Sequence, residues 1–98
     1  TETSAQTDKE LVAAPGANLS LYITDIVVSN GATAGTVLFE EDTASAKTVK
    51  VPKLYLAING GAVMNFRTPI RITANKNFGF TSNTCTTHDI LINGYTAP

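Results

Sequence analysis

Residues 26–42 read IVVSNGATAGTVLFEED, two apolar runs around a loop of small residues that holds Gly31 and Gly35. Two readings compete: a glycine-rich loop that cradles a phosphate, or a turn between strands. A phosphate loop needs Lys and Ser or Thr directly after its last glycine, at the start of a helix, so that N–H groups and an ammonium meet the anion. Here Gly35 is followed by Thr36, Val37 and Leu38, and the next Lys is Lys47. A dinucleotide fingerprint fails as well, because the glycine spacing is wrong and no helix follows. Residues 29–35 are therefore expected to connect two antiparallel strands, and to be small because the loop is tight or lies against a neighbour.

Outward from this loop the same texture repeats. Residues 19–29 (LSLYITDIVVS) place Leu19, Leu21 and Ile23 on one face; Asp25 interrupts, and Ile26 and Val28 take up the pattern. A slip from odd to even positions is what a β-bulge does to a long strand. Residues 36–41 (TVLFEE) set Val37 and Phe39 together. Further short apolar runs cover residues 10–14, ended by Pro15-Gly16; 48–51, stopped by Pro52; 54–58; 62–66, leading to Pro69; 70–73; 78–81; and 90–95. Turn residues separate the runs at intervals of about 8–12 residues, the spacing of a β-sandwich or barrel. Asn-Gly pairs at Asn30-Gly31, Asn59-Gly60 and Asn93-Gly94 mark bends, the third as a turn or a bulge. No window keeps an i, i+3, i+4, i+7 apolar period long enough for a helix. The fold class is all-β: an eight- to nine-stranded antiparallel sandwich, whose strand number fits a small jelly roll.

The chain of 98 residues is expected to form one domain over residues 9–98, preceded by an arm over residues 1–8. The arm residues Thr1, Glu2, Thr3, Ser4, Ala5, Gln6, Thr7 and Asp8 are polar and lack any period, so they are read as free or tied down by a partner. Charged residues make up 15% of the chain, low against the roughly 25% of an average domain, and Thr, Asn, Ala and Ser replace them. Such a neutral, hydrogen-bonding surface suits packing against other protein; an ordinary Thr-rich β domain is the plainer alternative. The net charge is −1 with no basic block, so no nucleic-acid partner is expected. No stretch approaches the roughly 20 apolar residues of a membrane span, and no signal-peptide pattern opens the sequence. One cysteine, Cys85, allows no intrachain disulfide.

Candidates for chemistry are few. His88, the sole histidine, stands beside Asp89, but neither Ser82 nor Thr87 sits on a nucleophile elbow. A surface or interface histidine is the reading adopted, near the axis if the protein is a trimer. Glu40, Glu41 and Asp42 are successive carboxylates that point to alternating sides, so they converge poorly on Ca²⁺. They are read as a solvated strand end or as partners for Lys47 or Lys50. Tyr22, Tyr55 and Tyr95, with Phe66, are weighed as a sugar-stacking platform. Tyr22 and Tyr55 run out of phase with their apolar neighbours and so face outward, which serves a protein interface equally well. No catalytic site, metal or cofactor is expected; the possible-interface set is Tyr22, Tyr55 and His88.

The layout as a whole resembles the small all-β structural proteins of tailed bacteriophages. The resemblance rests on AAPGA (residues 13–17), IVVSNGATAGTV, and GGAVMNFRTPIRITANKNFGF (residues 60–80), in which a Gly-Gly turn leads to an apolar strand, a Pro, and an Ile-rich strand ending in Ala-Asn. It implies a jelly-roll capsid decoration (cement) protein or a head or tail fibre module, often trimeric. The partner would be a major capsid protein or another virion protein. The location would be the phage head surface, after synthesis in the host cytoplasm. The alternatives are a receptor- or glycan-binding fibre module and an unrelated cellular β-sandwich adaptor.

Overall fold

The computed structural model describes residues 2–45 and 47–98. Among them are seven strands: β1 Lys9–Val12, β2 Ser20–Asn30, β3 Gly35–Glu41, β4 Thr48–Leu56, β5 Gly61–Arg71, β6 Phe78–Asn83 and β7 His88–Ala97. They form two antiparallel sheets packed as a sandwich, one of four strands in the order β1-β6-β3-β4 and one of three in the order β5-β2-β7.

The count of seven corrects the expected eight or nine. The two runs around Pro52 are one strand, β4, and the two around Pro69 are one strand, β5. Both are edge strands. Proline lacks an N–H, so it is tolerated on edge strands and at bulges. Both prolines lie at register shifts, Pro52 between the paired Val51 and Leu54 and Pro69 between the paired Asn65 and Ile70, and pairing resumes on the far side.

The bulge expected in β2 is present. The pairing of β2 shifts between Ile23 and Asp25 toward both neighbours. Against β7, Thr24 is the extra residue. Against β5 the longer side is β5, whose residues 66–69 lie between the paired Asn65 and Ile70. Leu21 and Ile23 before the shift, and Ile26 and Val28 after it, all face the core. They meet Val37 and Phe39 of β3, Val51 and Leu56 of β4, Phe78 and Phe80 of β6, and Ile72 and Cys85 from the connections. Burial raises the pKa of the Cys85 thiol and keeps it in the less reactive protonated form.

The loop after β2 is a correction of another kind. β2 and β3 do not pair; residues 31–34 carry the chain from the three-stranded sheet to the four-stranded one. Only β3 and β4 are consecutive strands that pair, and every other connection between the seven strands crosses sheets. Three crossings meet at one end of the sandwich. Gly31 N–H donates to the Thr87 carbonyl at 2.8 Å, and Asn59 N–H donates to the Gly31 carbonyl at 2.8 Å. The buried Asn30 amide donates to the carbonyls of Thr33 (2.9 Å) and Ala57 (3.0 Å). A Cβ on Gly31 would stand 2.9 Å from the Thr87 oxygen; one on Gly35 would press on the Asn83 carbonyl and stand 2.6 Å from the Cys85 nitrogen. The glycines that suggest a phosphate loop are there to let two chain crossings touch.

Candidate interaction surface

The outward face of the three-stranded sheet carries the most organised exposed chemistry. Pairing places Val63, Val27 and Leu91 in one row across β5, β2 and β7. Val63 is 66% exposed and Leu91 59% exposed. Asn65, Asp25 and Asn93 form the next row, and beyond the bulge come Arg71, Tyr22 and Tyr95. The Tyr22 and Tyr95 rings stack at 5.1 Å with 8° between planes, and Arg71 Nε donates to the Tyr22 hydroxyl at 3.3 Å. Beside this pair, an apolar cleft of about 270 Å³ opens between β1 and the margin of β7, lined by Val12, Leu21, Ile23, Ile92, Gly94 and Thr96 as well as the two tyrosines.

The structure does not bring the three expected interface residues together. Tyr22 lies on the three-stranded sheet, while Tyr55 lies on β4 of the other sheet and is 81% exposed. His88, expected at the surface, is only 1% exposed. Its Nδ1 donates to the Thr86 carbonyl at 2.9 Å, its ring meets Phe80 edge-on at 5.9 Å, and its Nε2 is buried without a partner. No hydrogen bond ties either ring nitrogen to Ser82 or Thr87. Phe66, weighed with the tyrosines, packs against the core instead.

The arm is also placed differently from the expectation. Thr1 lies outside the described residues. Glu2 bridges His88 through two backbone hydrogen bonds, N–H to carbonyl in each direction, at 2.8 and 2.9 Å. Ser82 N–H donates to the Gln6 carbonyl at 2.8 Å, and Gln6 N–H donates to Ser82 Oγ at 2.8 Å. Asp8 N–H donates to Thr81 Oγ1 at 3.0 Å. Residues 2–8 are thus held by their own chain, because the edge of β6 beyond β1 offers polar partners that the polar arm matches.

The acidic run is buried rather than solvated at Glu40 and Glu41, and its members go to different partners. Glu40 accepts from Thr81 Oγ1 at 3.0 Å. Glu41 accepts from Thr73 N–H at 3.0 Å and pairs with Lys50 at 3.2 Å, a partner expected from the sequence. Asp42 lies 3.5 Å from Lys76. Lys47 pairs with Asp8 at 3.0 Å. Among the described residues, no group of three His, Cys, Asp or Glu side chains converges as a metal site. No helix there is long and apolar enough to cross a membrane.

These placements set the carboxyl groups apart. Burial pushes the Glu40 carboxyl up, and the neighbouring Asp8 carboxylate pushes it further. Asp8 is held below its ordinary value, chiefly by the bond from Lys47. Burial also pushes Glu41 up, but the bonds from Thr73 and Lys50 outweigh it and hold the group below its ordinary value. A raised carboxyl favours folding below its unfolded pKa, and that contribution is lost as pH rises through the folded value; a depressed carboxyl does the reverse. Glu40→Gln, an amide that is neutral at every pH, is therefore expected to raise Tm at pH 7 and to leave it nearly unchanged at pH 4. Thermal melts of the two proteins across that range check it.

Neither family models, nor curated proteins, nor solved structures yield a match to the chain.

Proposed function

We propose that the chain is a non-enzymatic virion structural module, a decoration (cement) protein that binds and stabilises a bacteriophage head. The observation that carries this reading is the strand order. A single hairpin, β3–β4, sits mid-chain, and the connections on both sides of it cross between sheets. A jelly roll is built on that plan with four strands in each sheet, and it is a recurrent architecture of viral capsid and lectin domains. We read the order β1-β6-β3-β4 against β5-β2-β7 as a jelly roll in which the described residues leave one strand position, beside β7, unfilled.

The surface supports the same reading. A decoration protein adds interface area without chemistry, and stable interfaces bury about 1,200–2,000 Å² in total. The outward face of the three-stranded sheet offers aliphatic, amide and stacked aromatic side chains with few charges, the composition that interface centres favour. The partner is then the major capsid protein. Three copies around one axis, as the resemblance implies, would add avidity. Because residues 2–8 are held by their own chain, capsid contact is assigned to this sheet face and not to the arm.

The test is co-sedimentation of the purified chain with phage heads assembled without it. The expected result is saturable binding and a higher temperature of head rupture. A chain that stays in the supernatant would overturn the reading. A glycan-binding fibre module is the second reading, and exposed Tyr55 favours it, standing beside a hollow lined by Ala34, Gly35, Thr36, Leu56 and Ala57. Glycan-array binding that disappears in Tyr55→Ala would select it.

A further inference from the structure

A sheet edge presents unpaired N–H and C=O groups, and proteins blunt such edges with short strands, prolines and charges, lysine above all. Three of the four edges here are blunted. β1 has only 4 residues. β4 carries Lys50, Pro52 and Lys53, and β5 carries Arg67, Pro69 and Arg71. The fourth edge, β7, is 10 residues long, HDILINGYTA, with no proline or lysine and one carboxylate near its start.

The ladder along that edge has already begun. His88 spends its outward N–H and C=O on Glu2, in an antiparallel bridge. Groups alternate in an antiparallel ladder, so the same backbone groups of Ile90, Ile92, Gly94 and Thr96 turn outward beyond it. The extra residue at the bulge belongs to β2, so β7 keeps its alternation. Of these residues Ile92, Gly94 and Thr96 line the cleft, while Ile90 packs against the core. Over the cleft stands Val12 of β1, a strand of the larger sheet that overhangs the shorter one.

We propose that the free edge of β7 accepts an extended strand from a partner protein. That strand pairs antiparallel along residues 90–96 and sends alternate aliphatic side chains into the cleft beneath β1. This is strand addition, in which the backbone supplies affinity and pockets for every second side chain supply selectivity. The inward side chains must be aliphatic, because Val12, Leu21, Ile23 and Ile92 surround them. The outward ones lie beside Leu91 and Tyr95. A second copy does not fit as occupant. Two β7 strands paired about a twofold axis normal to the sheet would bring both overhanging β1 strands to the same place. A single strand without a sandwich attached meets no such obstacle. The arm of another copy, with Thr, Ser, Gln and Asp among its residues, lacks the aliphatic alternation. The edge is open in this way whether or not the partner is a capsid.

The test uses the intact chain labelled with ¹⁵N and the synthetic peptide Lys-Thr-Val-Thr-Val-Thr-Val-Thr-Lys. The expected result is amide shift changes and slowed hydrogen exchange at Ile90, Ile92, Gly94 and Thr96. A control peptide with Ser in place of each Val should leave these amides unchanged. Thr96→Pro removes one outward N–H and none that faces β2, so it should weaken peptide binding up to roughly tenfold. If that variant unfolds, the shift map of the unaltered chain decides alone. Changes elsewhere, equal binding of both peptides, or a β7-paired dimer seen by light scattering with the same amides protected would each overturn the proposal.

Discussion

Gly35→Ala is expected to lower the melting temperature by roughly 10–20 °C. The new methyl would press on the Asn83 carbonyl and on the Cys85 nitrogen and sulfur. Two of these are backbone atoms, and Cys85 is buried in the core, so no flexible side chain can swing away. Overpacking of this kind costs about 1–3 kcal/mol and occasionally more. In a domain of this size each kcal/mol moves Tm by about 4–8 °C. A calorimetric scan of the variant checks it. An unchanged Tm would mean that the two crossings do not touch as described.

The same position shows what could be read from residues alone. Thr36, Val37 and Leu38 after Gly35 are enough to exclude a phosphate loop, and the shift from Ile23 to Ile26 is enough to locate the bulge. Whether residues 31–34 turn within a sheet or cross between sheets is not legible, because a short loop serves either and the deciding contacts come from Thr87 and Cys85, far along the chain. Pro52 and Pro69 read as stops because edge status is a property of the assembled sheet. Glu40 and Glu41 read as solvated because their partners, Thr81 and Thr73, lie 41 and 32 residues away. Tyr22 faces outward as its phase indicates, but its stacking partner Tyr95 comes from another strand. His88 is buried because Phe80 and the arm close over it, and no local pattern announces either. The absence of proline and lysine from residues 88–97 is legible in the residues; its meaning needs the strand order.

Phe39→Ala is expected to cost about 3–5 kcal/mol, the range for emptying a buried aromatic site. Phe39 has no exposed surface and stacks on Phe78 with ring centroids 5.9 Å apart and 6° between planes. It sits in β3, which pairs with β6 on one side and β4 on the other. A strand held on both sides cannot move in to close the void, so the cavity term stays large. Domains of this class are stable by only about 5–15 kcal/mol, so the loss is a large share of the total. Urea titration followed by circular dichroism measures it. A midpoint that moves with an unchanged slope reports lost stability rather than a changed unfolded state.

The crossing connections also govern time. Apart from β3 and β4, no two strands that pair are neighbours in the chain, so almost no contact can reward the chain before a long loop has closed. Chains dominated by such distant pairings fold in milliseconds to seconds, where local topologies need microseconds. The β3–β4 hairpin is the one element that can form early, and the rest of the sandwich must assemble around it nearly at once.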